Sequence, residues 1–178
     1  MAIEIERRFL VHQDISGFCI FGQRIVQGYI SAGGTTKIRI RVMGSKGFLT
    51  IKSKRVGCAR TEIEWEISVE AAWSLLKKVD PDTLIEKVRY KVLHNGLTWE
   101  VDVFEGRNAG LVIAEVELSH PDQSVTLPSW VGREITAEDR YGNSTLAVLP
   151  AGSSKTTAKS ARPGEQTRGH IRTPHEGF

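Results

Sequence analysis

The chain has 178 residues, of which 40% are apolar and 25% charged, with a formal net charge of +3. That length and apolar share suit one domain with its own core. No run approaches the roughly 18 apolar residues of a membrane span, and the opening MAIEIERRFLV carries charge at once, unlike a secretory signal.

The excess charge is local. Residues 151–178 hold five basic and two acidic residues, whereas residues 1–150 hold 19 of each. A neutral body argues against a nucleic-acid-binding domain, which needs a basic face. The tail, AGSSKTTAKSARPGEQTRGHIRTPHEGF, is rich in Ser, Thr, Gly and Pro and poor in large apolar groups. It reads as a disordered basic appendage, because it cannot bury enough surface to offset its ordering entropy. The expected division is therefore a domain over 1–150 and a tail over 151–178. Cys19 and Cys58 lack C-x-x-C spacing, so neither a metal cage nor a disulfide framework is expected, and a reducing cytoplasm is the default compartment.

Period-two alternation dominates the body. It runs through Ile3–Phe9, Gln23–Ser31, Thr36–Val42, Gly47–Lys54 and Arg60–Val69. A helical stretch follows over Val69–Val79, with Ala72, Trp73, Leu76 and Val79 on one face and Pro81 as its stop. Alternation resumes in Ile85–Val92, Leu97–Phe104 and Leu111–Leu118, and further helical pieces fit Thr136–Tyr141 and Ser144–Leu149. Asn95-Gly96 between two alternating runs marks a hairpin, because both residues tolerate the positive φ of a type I′ turn. Eight strands with short connections predict an α+β, predominantly β fold: an eight-stranded antiparallel barrel tunnel with a few flanking helices.

Residues at i and i+2 of a strand share a face. One face thus collects Glu4, Glu6 and Arg8; Lys37, Arg39 and Arg41; Lys52 and Lys54; Glu62, Glu64 and Glu66; Lys87, Arg89 and Lys91; Glu100 and Asp102; Glu115 and Glu117. A solvated sheet face would alternate in the same way. Here, however, charges recur in nearly every strand, and each strand carries mostly one sign. Like charges side by side cost stability unless a ligand or opposite charge compensates. Paired carboxylates suit Mg²⁺ or Mn²⁺, and paired Arg and Lys suit phosphate oxygens. Together they form the inventory of a phosphoryl- or nucleotidyl-transfer site. No G-x-S-x-G, H-E-x-x-H or P-loop motif is present, and the five histidines are scattered.

An ordered series of motifs resembles the CYTH domains, the triphosphate tunnel metalloenzymes. Glu4-Ile5-Glu6-Arg7-Arg8 is similar to the opening E-x-E-x-K. Gln27-Gly28-Tyr29, Ile38-Arg39-Ile40-Arg41, Thr50-Ile51-Lys52, Arg60-Thr61-Glu62-Ile63-Glu64 and Glu86-Lys87-Val88-Arg89-Tyr90 follow. Glu100-Val101-Asp102, Glu115-Val116-Glu117 and Asp139-Arg140-Tyr141 with Asn143 complete the series, which covers residues 2–149. The resemblance implies a triphosphate substrate, with Mg²⁺ or Mn²⁺ held by carboxylates of the set Glu4, Glu6, Asp102, Glu115 and Glu117. It implies phosphate binding by Arg39, Arg41, Lys52, Lys54, Lys87, Arg89 and Arg140, and a catalytic set of Glu62, Glu64 and Arg8. Arg8 replaces the signature lysine; it keeps the charge but does not give up a proton. The expected activity is hydrolysis of inorganic tripolyphosphate or a related triphosphate such as thiamine triphosphate. Alternatives are an adenylate cyclase making cyclic AMP and pyrophosphate, and a non-catalytic triphosphate-binding module. No nucleic-acid or membrane partner is expected, and a homodimer is left open.

Overall fold

The structure is a computed structural model that describes residues 2–13, 15, 17–18, 21–31, 36–53 and 56–152. Lys54 and the tail beyond residue 152 lie outside these residues. All eight expected strands are present: β1 (Ala2–Val11), β2 (Gly22–Ser31), β3 (Lys37–Met43), β4 (Lys46–Lys52), β5 (Ala59–Ile67), β6 (Ile85–His94), β7 (Leu97–Phe104) and β8 (Val112–Glu117). Helix α1 (Val69–Leu76) separates β5 from β6. A short ninth strand, β9 (Val131–Glu134), and a C-terminal helix, α2 (Asn143–Val148), complete the fold. Of the helical piece expected over Thr136–Tyr141, only a 3-10 turn at Asp139–Tyr141 forms. No described helix is long and apolar enough to cross a membrane.

The strands pair antiparallel in the order β5-β4-β3-β2-β6-β7-β8-β1, and a β5–β1 pairing closes the ring. Closure removes the free edges that an open sheet would expose. Strand β1 is the keystone. Its first half pairs with β5 (Glu4↔Arg60) and its second half with β8 (Glu6↔Glu117, Arg8↔Glu115). Strand β9 then covers the end of β1 (Phe9↔Glu134). The β6–β7 turn has φ of 48° at Asn95 and 76° at Gly96, as a type I′ turn requires. Gly96→Ala should lower stability by about 1 kcal/mol, because a Cβ is strained at that φ. The measurement is a urea midpoint that falls with no change in slope.

The barrel is charged inside and apolar outside, so its core lies between the wall and what wraps it. Ala72 and Leu76 of α1 cover Val26, Ile40 and Val42. Trp130 and Val131 join Phe9, Trp99, Val101 and Val116 in a second cluster. Leu146 and Ala147 of α2 pack with Ile85, Phe104, Ile113 and Ile135 in a third. Helix α1 starts where the Ser68 hydroxyl accepts a hydrogen bond from the Ala71 N–H at 3.1 Å. It lies so close to β4 that a Cβ on Gly47 would sit 2.7 Å from that of Ala72. Ala72, Leu76 and Val79 are buried as the helical period predicts, but Trp73 is 41% exposed. One residue on from Ala72 is about 100° around the helix, at the edge of the stripe.

Candidate active site

The period-two pattern places the charged side chains in the lumen. The residues expected to act together come from six of the eight walls: Glu4, Glu6 and Arg8 from β1, Arg39 and Arg41 from β3, Lys52 from β4, Glu62 and Glu64 from β5, Lys87 and Arg89 from β6, and Glu115 and Glu117 from β8. Asp102, on β7, belongs to the same connected set. The lumen is polarised along its length. One cavity of about 290 Å³ is lined by the cations Arg8, Lys37, Arg39, Lys52 and Arg60 against the acids Glu6, Glu115 and Asp139, with Asn143, Ser144 and Thr145 of α2 beside them. A cavity of the same size at the opposite mouth is lined by Glu4, Glu6, Glu100, Glu115 and Glu117, with Lys91 the one cation among its lining residues. A middle cavity of about 210 Å³ shares residues with both, including Glu4, Glu6, Arg39, Lys52, Arg60 and Glu115.

Two ion-pair networks hold these groups. In the first, Arg39 donates to Thr50 Oγ1 at 3.1 Å, Glu64 at 3.0 Å and Glu62 at 3.4 Å. Arg41 donates to Glu64 at 3.0 Å, and Thr50 also donates to Glu64, at 2.7 Å. Lys52 bonds Glu62 and reaches Glu4 at 3.4 Å. Burial, reinforced by Arg39 and Arg60, lowers the Lys52 ammonium to about 8 against the opposing pull of Glu4 and Glu62. Burial also lowers Arg41, to about 10, with Arg39 adding to it. For Glu4, burial acts to raise the carboxyl, but Lys52 and Arg60 override it and hold the group below its ordinary range.

The second network centres on Asp102, which is 1% exposed. Its two oxygens accept from Arg89 at 2.6 and 2.7 Å, and one also accepts from Lys87. Arg89 continues to Glu100 and, at 2.9 Å, to Glu115. Lys87 reaches Asn143 Oδ1 of α2 at 3.3 Å. Burial pushes the Asp102 carboxyl up, yet Lys87 and Arg89 outweigh it and hold the group at about 2. Asp102 and Lys87 line none of the three cavities. The structure thus sets Asp102 apart from the four glutamates with which the resemblance grouped it.

Arg8 is almost fully buried and meets no carboxylate among the described residues. Its guanidinium donates instead to the Tyr141 and Thr136 carbonyls at 3.2 and 3.4 Å, which ties β1 to the segment before α2. Its Nε has no hydrogen-bond partner among the described residues. Arg140 stands outside the lumen: it is two-thirds exposed, pairs with Glu138 at 2.9 Å and stacks on the Tyr141 ring at 4.7 Å. Four lumen residues had no role in the sequence reading. Arg60, in phase with Glu62 and Glu64, lines two cavities. Thr50 is fully buried between Arg39 and Glu64. Asn143 comes from a helix that alternation cannot register. Tyr29 shares its strand face with Gln27, whose side-chain amide donates to the Tyr29 hydroxyl at 2.8 Å. Burial raises the phenol to about 12, so it stays neutral and keeps its proton to donate.

The acidic mouth is suited to a hard divalent cation. Glu6 stands directly opposite Glu117, and Glu100 directly opposite Glu115. Like charges in register destabilise a sheet unless a cation lies between them, and all the donors are hard oxygens. Glu117 has no cationic partner among the described residues. No three acids among the described residues already converge as a cage, and the carboxylates engage Lys and Arg instead. The fit therefore rests on donor chemistry and register.

Known proteins resemble this chain over the span of the barrel. An inorganic triphosphatase of Acetivibrio thermocellus is 43% identical over 150 residues, which is 84% of this chain and 96% of that protein. An inorganic triphosphatase of Nitrosomonas europaea is 35% identical over 149 residues, 82% and 97% of the two chains. A crystal structure of an inorganic triphosphatase superposes with a TM-score of 0.63 at 34% identity, covering 84% of this chain and 98% of that one. Residues 2–150 match the CYTH domain family. With that span matched and the barrel closed as described, the chain belongs to the CYTH domain family.

Proposed function

We propose that this chain is a metal-dependent hydrolase of inorganic tripolyphosphate or a closely related triphosphate. One observation carries the reading: a single lumen joins a carboxylate mouth, with Lys91 its one lining cation, to an interior where cations outnumber acids, at a scale that suits a short phosphate chain. The relatives named as inorganic triphosphatases, which this chain matches over nearly their whole length, support it.

Glu4, Glu6, Glu115 and Glu117 would hold Mg²⁺ or Mn²⁺. A bound divalent cation polarises phosphoryl oxygens and makes a nearby water more acidic. Arg39, Arg41, Lys52 and Arg89 bind the phosphates, with Arg8 at the inner end, and Tyr29 donates a neutral hydrogen bond beside them. Together they neutralise the substrate's roughly four negative charges and fix the terminal phosphorus for in-line attack. Glu62 and Glu64 accept hydrogen bonds from Arg39, Arg41 and Lys52. When phosphate oxygens take over those donors, the two carboxylates become free to orient a water and accept its proton. The water oxygen bonds to the terminal phosphorus as the bridging P–O bond breaks, releasing phosphate and diphosphate. Arg8 stabilises charge without supplying a proton. Lys87 and Asp102 act from behind, Asp102 by fixing Arg89 and Lys87 by tying the wall to α2.

The test is a phosphate-release screen over tripolyphosphate, ATP, GTP and thiamine triphosphate, each with Mg²⁺ and Mn²⁺. Tripolyphosphate should turn over fastest, and ATP should yield no cyclic AMP. Cyclic AMP with pyrophosphate would establish the cyclase alternative. Tight binding without turnover in either metal, up to alkaline pH, would establish a binding module.

A further inference from the structure

Arg60 enters neither the metal-binding set nor the phosphate-binding set, yet it touches the first and faces the second. Its Nε donates to Glu4 Oε2 at 2.5 Å, and its Nη2 meets Glu6 Oε1 at 3.4 Å. It therefore bridges two neighbouring lumen carboxylates of β1 from the facing strand, where its Cα lies opposite that of Glu4. The same guanidinium lines the cation-rich cavity and the middle one, but not the acidic mouth. Among the described residues the site is thus already compensated at Glu4 and Glu6 and left uncompensated at Glu117.

A guanidinium and a divalent cation have the same sign and seek the same oxygens. At contact distance they repel, and a carboxylate committed to one offers less to the other. A metal drawing on Glu4 and Glu6 must displace Arg60. The released side chain starts beside Arg39 and Lys52, where it can reach a phosphate oxygen and recover the lost ion pairs.

We infer that Arg60 is an internal counter-ion that exchanges with the metal, holding Glu4 and Glu6 in the metal-free protein and turning to the triphosphate once the metal is bound. The inference rests on the proposed function. Two consequences follow from linkage. Metal affinity in the absence of substrate is held down, because the Arg60 pairs must break first. Triphosphate restores that affinity, and the metal strengthens triphosphate binding by the same factor.

The experiment is a Mn²⁺ titration of the full chain without substrate, read as loss of the free-ion electron paramagnetic resonance signal. It is run on the wild type, Arg60→Gln and Arg60→Lys. Arg60→Gln should bind Mn²⁺ about tenfold tighter than the wild type, within the usual range of coupling between sites. Its KM for tripolyphosphate at saturating Mn²⁺ should rise about tenfold. Arg60→Lys keeps one charge but not the fork that spans two carboxylates, so its Mn²⁺ affinity should fall between the other two. The opposite signs are diagnostic, because simple damage to the barrel weakens both ligands. Mn²⁺ affinity in Arg60→Gln equal to or below that of a metal-binding wild type overturns the exchange and leaves the triphosphatase reading standing. A wild type that binds no Mn²⁺ overturns that reading, and the exchange with it.

Discussion

Glu117→Gln should cut metal-dependent phosphate release from tripolyphosphate by about 100-fold or more, while the barrel stays as stable as the wild type. The magnitude is that of losing a group which holds the charge-stabilising element of a site. Glu117 is the cleanest of the four glutamates to change. It is exposed at the mouth, faces Glu6 across the β1–β8 register and has no cationic partner among the described residues. Gln keeps its size and removes a repulsion, so the melting temperature should hold or rise slightly. Glu4→Gln would also lose activity, but it breaks contacts with Lys52 and Arg60 and so mixes two effects. Full activity in Glu117→Gln at limiting metal would remove this residue from the metal site.

The largest effect on stability belongs to Asp102→Ala, which should cost about 3–5 kcal/mol, the typical result of stripping the partner from a buried charge. Asp102 and Lys87 have side chains 1% and 2% exposed, and Arg89 depends on the same carboxylate. Truncation leaves an ammonium with no water to turn to. Replacing both members, as Lys87→Met with Asp102→Leu, should regain part of the loss, because the ammonium goes with the carboxylate while Arg89 keeps Glu100 and Glu115. Activity should stay low, since Arg89 has lost its anchor. Urea unfolding of the two single variants and the double variant measures the coupling. The pH dependence gives a second check. A carboxyl held at about 2 in the fold and near 3.9 when unfolded contributes stability that is fully present above pH 4. That contribution is lost as the pH falls through 2, so the gap between wild type and Asp102→Ala should narrow over that window. A gap that is constant down to pH 2 would show that the carboxylate charge is not what holds the pair.

Most of the barrel and the composition of its lumen could be read in the sequence, because one period governs both. Apolar residues in phase with Ile38 and Val101 had to be covered, and charged residues in phase with Arg39 and Glu100 then had to face the interior. What escaped was whatever does not repeat. Strand β9 is four residues long, VGRE, too short to show alternation. Strand β2 brings Gln27 and Tyr29 to a charged lumen, while its one charged residue, Arg24, lies on the other face and pairs with Glu86 and Glu105, so a search by charge passes over it. Asp102 shows why face alone does not give role. It shares the face of Glu100, but its depth and its two cationic neighbours make it a fixing point rather than an open ligand. Arg140 shows the converse, a basic residue inside a matching motif whose side chain turns outward to Glu138.

The place of β1 in the ring bears on how the chain reaches its native state. The strand made first is the one that must wait, because its partners are β5, β8 and β9, drawn from the middle and far end of the domain. Contacts of such long sequence separation slow folding, since loop-closure entropy is spent before any pairing repays it. On the ribosome, Glu4, Glu6 and Arg8 stay without their β8 and β9 neighbours until the far end of the domain has emerged. Closing the ring, and bringing Glu4, Glu6 and Arg8 up to the cationic side chains of β3, β4 and β6, is then one late event.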